Sequence, residues 1–467
     1  MIATILIKKT KTPKKVMTQN TEQLLIELTD AFNPFYPLPA GDPQYVDCGE
    51  VRGDDNITVE LGRNIQRSKQ MTYQLYAGHR GAGKSTELLR LEQYLKEQGY
   101  FVVYFAADEQ DINPEDTEYT DILLACTRHL LEAIKDADPK PLRDWMKDRW
   151  NDLKDLALTK VSFETLSLEL QISQFAKLTA NVRNEPTLRQ KIREKVNPYT
   201  LTLIDALNEF IVNAKNKSPK KYSKLAVIAD NLDRIVPFSK ETGGRSNLDE
   251  IFLDRSEQLK ALKCHIVYTV PISMVHSNRA ADLSNNYSNP PQVLPMIMVR
   301  KPSGEVHPPG LAKMKELIEK RVKQVAPHLS LETEFFDNGE TLERLCLMSG
   351  GHVRNLMLMM QEAIKKTDDL PITAKAAQRA ITNLRNVYRK TAGDNEWSIL
   401  AKVSLSRRIL NDEQHRALLF NRCILEYRYL DEEEEMLSWY DVHPLIKGIQ
   451  EFKEAVALLS RHETRSN

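Results

Sequence analysis

Residues 78–85 read GHRGAGKS, three glycines followed by a lysine and a hydroxyl in the spacing G-x-x-x-x-G-K-[ST]. That spacing suits one task, the gripping of a polyphosphate. Gly78, Gly81 and Gly83 let the backbone curl so that N–H groups face an anion with no Cβ in the way. His79, Arg80 and Ala82 supply the peptides between them. Lys84 would reach the β- and γ-phosphates and Ser85 would ligate Mg²⁺. Thr86 follows in a helix whose positive end begins at the loop. ATP and Mg²⁺ are the expected cofactors.

A magnesium nucleotide needs a carboxylate at the end of a neighbouring strand. LAVIAD ends on Asp230, so Ser85 and Asp230 are the expected metal ligands. Asp233, in DNLDR, is the candidate for orienting or deprotonating the attacking water; a structural cap or a partner for Arg234 is its plainer use. In HIVYTVP, Thr269 closes an apolar run and is placed either to touch the γ-phosphate or simply to end a strand. SGGHVRNL puts Arg354 after a Gly-Gly break in the first turn of a helix. It would swing onto the γ-phosphate, or remain a solvated arginine.

The flanking elements agree with that site. MTYQLYAG reads as a strand entering the loop, KSTELLRLEQYLKEQ as an amphipathic helix, and YFVVYFAAD as a buried parallel strand, which makes one βαβ unit. Roughly 115 residues then precede KLAVIADNLD, where a bare crossover needs about a dozen, so residues 112–222 are an insertion. It should be helical over 119–156 and 187–215, with a β-hairpin or strand pair over 163–182 from the alternation in FETLSLELQISQFAKLTANV. KNKSPKKYSK reads as a basic loop. A helix over 250–262, a strand over 263–275, a polar loop and a strand over 293–299 complete the core. Residues 311–383 read as all helical. Two helices, two extended segments around DEEEE and a last helix over 445–460 have the order of a winged-helix-like module. An acidic helix start at Asp54 or Asp55 and a terminal tail or misassigned start over 1–16 are also expected.

The order YVDCGEVRGDDNI, GHRGAGKST, VIADNLD, VYTVP and SGGHVRNL resembles the AAA+/STAND group of P-loop ATPases. It is most similar to the prokaryotic branch with an origin-recognition- or NACHT-like core, over about residues 43–383. The resemblance implies an α/β fold: a P-loop NTPase parallel sheet with helical insertion, a helical lid domain and a C-terminal winged-helix-like module. The domains would be 1–42, 43–305, 306–392 and 393–467. It also implies that residues 46–52, Val46 and Arg52 included, border the adenine, that Thr269 is sensor 1 and that Arg354 is sensor 2. Asn231 departs from the pattern, since many relatives carry the catalytic acid there, and this suits slow turnover. An arginine finger from a neighbouring subunit usually completes such sites. Arg245, Arg255 and Arg321 are the candidates.

Composition narrows the rest. Lys+Arg and Asp+Glu both total 65, so the chain lacks the basic surplus of a typical nucleic-acid binder, and an acidic wing tip would repel a phosphate backbone. Five scattered cysteines suit a reducing cytosol and argue against a disulfide framework. The ten histidines lack metal spacing, His443 reads as a packed corner residue, and no apolar run is long enough for a membrane span. The expectation is a cytoplasmic ATP-dependent conformational or oligomerisation switch with slow, Mg²⁺-dependent hydrolysis. It would act through copies of itself or a partner protein. The alternatives are a nucleic-acid-associated loader or initiator-like ATPase, and an ATP-binding scaffold with little hydrolysis.

Overall fold

The computed structural model describes residues 19–53, 56–156, 162–239, 245–287 and 289–466. The expected tail over 1–16 and the expected helix start at Asp54 or Asp55 lie outside the described residues. The helix Ile57–Arg67 is capped by Asn56, whose side chain accepts from the Val59 N–H.

Five parallel strands form the centre: β1 (Tyr73–Gly78), β2 (Phe101–Ala106), β3 (Leu225–Asp230), β4 (His265–Thr269) and β5 (Gln292–Leu294). Their order is β2-β3-β4-β1-β5. A parallel sheet covered on both faces requires apolar side chains throughout its central strands, and every residue of β3 and β4 is buried. β4 pairs Thr269 with Tyr76 on one side and Tyr268 with Ala229 on the other. The carboxyl ends of β1, β4 and β3 are therefore neighbours, where ligands of open α/β sheets bind. The fold is the expected P-loop α/β sheet.

The insertion is helical throughout its longer described elements, and the expected hairpin over 163–182 is corrected. That stretch holds the helix Leu168–Asn184, capped by Ser167. The alternation misleads because Leu168 and Leu170 are half-exposed, while Gln171, Phe175, Leu178 and Val182 recur at helical spacing and are buried. Nor is KNKSPKKYSK a loop: the helix Thr200–Lys217 runs into it and Pro219–Tyr222 adds a turn, with Lys221 paired to Asp136 at 2.7 Å. The polar loop before β5 contains the helix Ala280–Asn286.

The expected strand over 293–299 pairs with β1 only over Gln292–Leu294. Pro295 has no N–H to continue a ladder. Beyond it, the Met296 N–H donates to Glu426 O and the Met298 N–H to Val51 O, both at 3.0 Å, so the sheet edge is handed to other segments. The helices Pro308–Val325, Gly339–Met348, Val353–Lys365 and Ala374–Thr391 follow. Next come the helices Trp397–Ser406 and Glu413–Phe420, the antiparallel hairpin β6 (Ile424–Leu430) and β7 (Met436–Val442), and the last helix, Gln450–Ser466. Among the described residues, no helix is long and apolar enough to cross a membrane. The five cysteines are free and buried.

One turn locks the helical region to the sheet. Gly351 has φ 76°, and a Cβ there would lie 1.8 Å from the Ile297 carbonyl oxygen. Gly351→Ala should cost about 2–4 kcal/mol and lower the thermal unfolding midpoint. A melting curve that matches wild type would show that the turn does not sit against Ile297.

Candidate functional site

The glycine loop is held by its carbonyl oxygens. Lys84 Nζ donates to Gly78 O at 2.8 Å and to His79 O at 3.0 Å. Arg80 O lies 2.9 Å from His352 Nε2, Gly81 O accepts from the Arg354 N–H at 3.1 Å, and Ala82 O accepts from Arg52 Nη2 at 2.8 Å. Five successive carbonyls are thus tied to three places in the chain. Burial keeps His352 neutral, and because its Nδ1 accepts from the Asn355 N–H, its Nε2–H is the donor to Arg80 O. Gly81 and Gly83 adopt φ of 88° and 113°. A peptide whose carbonyl is drawn outward turns its N–H the other way, which is how a nest for an anion is formed. Gly81 is also a close approach, since a Cβ there would fall 2.7 Å from His352 Cε1.

At the sheet ends the acids gather. Lys84 Nζ lies 2.8 Å from Asp233 Oδ2, both groups almost wholly buried. Asp230 Oδ2 accepts from the Tyr104 hydroxyl at 2.8 Å and Oδ1 from the Asn231 N–H at 2.6 Å. Burial first, then the neighbouring Asp233, push the Asp230 carboxyl up, while Ser85, Tyr104 and the Asn231 amide hydrogen-bond to it and pull it down. Ser85 and Asp230 are therefore side-chain partners already. Thr269 stands elsewhere than expected: its fully buried hydroxyl accepts from the Leu232 N–H at 2.8 Å and lies 3.4 Å from Ala229 O, outside the cavity lining. Its contacts pin the turn that carries Asp233.

Beside the loop is a cavity, and Val46, Arg52, Arg80, Asp233 and Arg354 line it together with residues 81–86. Tyr45, Cys48, Leu317 and Met357 give it an apolar end. Residues 33–38 close one side, with Phe35 and Tyr36 largely exposed and the Leu38 N–H bonded to Thr86 Oγ1 at 3.1 Å. Its paired aromatics, Phe35 and Tyr36, sit among prolines at 34, 37 and 39. Tyr104, Glu109 and Arg234 also line the cavity and were missed. Arg80 lies over the Phe420 ring at 4.3 Å, and burial followed by Arg422 brings its pKa down to about 10. Burial, Arg234 and Arg422 likewise lower Arg354.

Of the arginines expected to serve a neighbouring subunit, Arg321 is corrected. It is buried, donates to Leu317 O at 2.9 Å and lines this chain's own cavity, so it cannot be presented outward. Arg245 is exposed and pairs with Asp254 at 2.8 Å, and Arg255 sits 5.1 Å over the Tyr119 ring. His443 stacks on Tyr388 at 4.5 Å as a packed corner residue.

The residues present fit a magnesium nucleotide. Lys84 spends its donors on two carbonyls and Asp233, contacts that an entering phosphate can replace by a stronger charge-assisted bond. Ser85 and Asp230 offer hard oxygen donors, and Mg²⁺ ordinarily takes only one or two from protein. Among the described residues, no group of three or more His, Cys, Asp or Glu is arranged to hold a metal without such help. Bound Mg²⁺ would offset phosphate charge, while Asp233 is the carboxylate free to engage water once Lys84 turns to phosphate.

No protein-family model matches the sequence, and no curated protein does. Solved structures resemble the fold weakly. A Walker-type ATPase of Pyrococcus abyssi is 12% identical over 89% of this chain and 98% of its own, with a TM-score of 0.40. The ORC2 protein of Aeropyrum pernix is 10% identical over 93% and 98%, TM-score 0.43. Cdc6p of Pyrobaculum aerophilum is 10% identical over 92% and 98%, TM-score 0.40. Likeness at this level says nothing of what this chain binds.

Replacing Lys84 by Ala removes the loop's one ammonium. ATP·Mg²⁺ affinity, read by calorimetry, should fall at least about 100-fold with the far-ultraviolet dichroism kept. Unchanged affinity would mean that the loop is not the nucleotide grip.

Proposed function

We propose that this chain is an ATP-binding P-loop ATPase of the AAA+ type, and within it a STAND-like switch whose nucleotide state sets the arrangement of its parts. The observation that carries the proposal is the division of the loop's carbonyls. Gly78 and His79 are held by the phosphate-seeking lysine, Arg80 and Gly81 by the 352–354 turn, and Ala82 by Arg52. The hairpin joins in, its Glu426 N–H donating to His79 Nε2 at 3.0 Å. A phosphate that draws Lys84 away from Gly78, His79 and Asp233 loosens one anchor of a loop on which the other segments rest. ATP and ADP differ in charge at that point, so they favour different arrangements.

In this proposal Ser85 and Asp230 hold Mg²⁺, Asp233 orients water, Arg354 contacts the terminal phosphate, and Val46 and Arg52 lie by the base. Thr269 acts at one remove through the Asp233 turn. The units run 43–305, 306–392 and 393–467. In the ATP state the chain associates with copies of itself or a partner protein, Arg245 or Arg255 reaching across. A second reading, a nucleic-acid-associated loader, draws on the helix–helix–hairpin–helix order of the last 75 or so residues, the layout of a winged helix. Binding of a short duplex with steep salt dependence would favour it.

The test is phosphate release by wild type and Asp233→Asn. Turnover should fall about 100-fold while ATP still binds. Equal release from the two proteins would sink the role given to Asp233. Gel filtration with a slowly hydrolysed ATP analogue should show a larger species than with ADP; identical elution would sink the switch.

A further inference from the structure

A second cavity, of about 310 Å³, lies where the segment after β5, the Gly350 turn and the C-terminal region meet. That is roughly ten times the volume share of one water. Its charges are unbalanced: Arg300, Arg407 and Lys447 face a single carboxylate, Asp441. Lys447 Nζ and Arg407 Nη1 both pair with Asp441 Oδ2, the former at 2.7 Å. Arg300 has only a carbonyl, Gly304 O, at 2.9 Å. The same Gly304 brings Arg407 close, for a Cβ built on it would be 3.8 Å from Arg407 Nη2. Burial lowers the Lys447 pKa, and Arg407 and Arg300 lower it further although Asp441 opposes them. Three cations sharing one acid in a partly buried site leave an unmet demand for negative charge.

Aromatic and apolar side chains also line this cavity. Tyr427 and Trp439 stack at 4.5 Å, and the indole N–H of Trp439, almost fully buried, has no hydrogen-bond partner among the described residues. Leu347 and Met348 join them. Cations beside a ring pair, with Arg407 itself 5.8 Å over the Trp439 ring, select a small molecule with a dianionic head and a compact planar or apolar body.

We infer that this cavity is a binding site for a small phosphate monoester, separate from the glycine loop and coupled to it. The coupling is short. Tyr427 donates to Gly350 O at 2.7 Å, and two residues on, His352 holds Arg80 O of the loop. Gly350 has no slack against the hairpin side, because a Cβ there would meet Pro444 Cδ at 2.7 Å and Leu425 Cδ1 at 2.9 Å. A ligand that draws Arg300, Arg407 and Lys447 together biases the position of the Gly350 turn, and hence of the loop.

Phenyl phosphate is the probe, titrated calorimetrically into the full chain as wild type, Lys84→Ala, Arg300→Gln and Lys447→Gln, each checked by its melting curve. Wild type should bind saturably and Lys84→Ala should stay within about fivefold of it, the size of the coupling, whereas Arg300→Gln and Lys447→Gln should lose at least about tenfold. No saturable binding, or Arg300→Gln and Lys447→Gln binding like wild type, overturns the site. Loss in Lys84→Ala with full binding in Arg300→Gln would assign the probe to the glycine loop and also overturn it. The coupling, which rests on the proposed nucleotide site, predicts that saturating phenyl phosphate changes ADP affinity about fivefold or more. Unaltered ADP affinity in a protein that binds both overturns the coupling while leaving the nucleotide reading intact.

Discussion

The structure turns on where one ammonium goes. Lys84 is almost fully buried, and a buried cation must be paired and hydrogen-bonded throughout. Here Gly78 O, His79 O and Asp233 meet its three donors, so the loop is closed on its own lysine. That arrangement is self-consistent yet replaceable: an anion of higher charge brought to the loop would compete with Asp233 for the lysine. Asp233 would then be released from the same contact. One ion pair thus links occupancy of the loop to the freedom of the group nearest to chemistry.

The second constraint is that buried carbonyls need partners, and a tightly curled loop supplies few of its own beyond the Ala82 N–H, which donates to His79 O at 3.2 Å. The remaining carbonyls are met from outside the loop. Arg52 reaches in from the segment before the first strand, His352 and Arg354 from the helical region, and Glu426 reaches the His79 ring from the hairpin. Each partner satisfies one local need, but together they make the loop the junction of elements far apart in sequence. His79 shows how far this goes. Burial holds its pKa down to about 3, so its Nε2 remains an acceptor for the Glu426 N–H across the working pH range.

Local features were legible in the sequence where they depend on backbone chemistry alone. The loop spacing, the apolar run ending in Asp230 and the Gly-Gly turn before Arg354 each specify a conformation without knowledge of neighbours, and each stands where its spacing puts it. Readings failed where two periods competed or where a partner decides the outcome. LSLELQIS alternates by chance at the start of a helix whose burial begins only at Gln171. Thr269 ends its strand as expected, but the adjacent turn claims its hydroxyl. Phe35 and Tyr36 look like a linker until the fold brings Thr86 against Leu38. Arg321 looks like a surface arginine, but its helix turns it inward, where it is buried and lines the cavity.

Asn231 is the residue at which sequence and structure inform each other most. Read against the resemblance, it is a missing acid. Its backbone gives another reason for its presence: φ 64° and ψ 10° lie in the left-handed region, which asparagine tolerates better than any other side chain except glycine's. That conformation ends β3 abruptly, lets the Asn231 N–H bond Asp230 Oδ1, and starts the Leu232–Arg234 turn. The turn is fixed from the other side by Thr269 on Leu232, and it delivers Asp233 onto Lys84. A glutamate at 231 would sit in a strained backbone and would place a carboxylate in a site already holding Asp230 and Asp233, with burial raising the cost of each added charge. The second carboxylate of this site thus stands at Asp233, two residues beyond Asn231, at the end of a turn that Asn231 starts. The left-handed turn at Asn231 and the closed loop therefore have a single structural origin, the placement of Asp233 against Lys84.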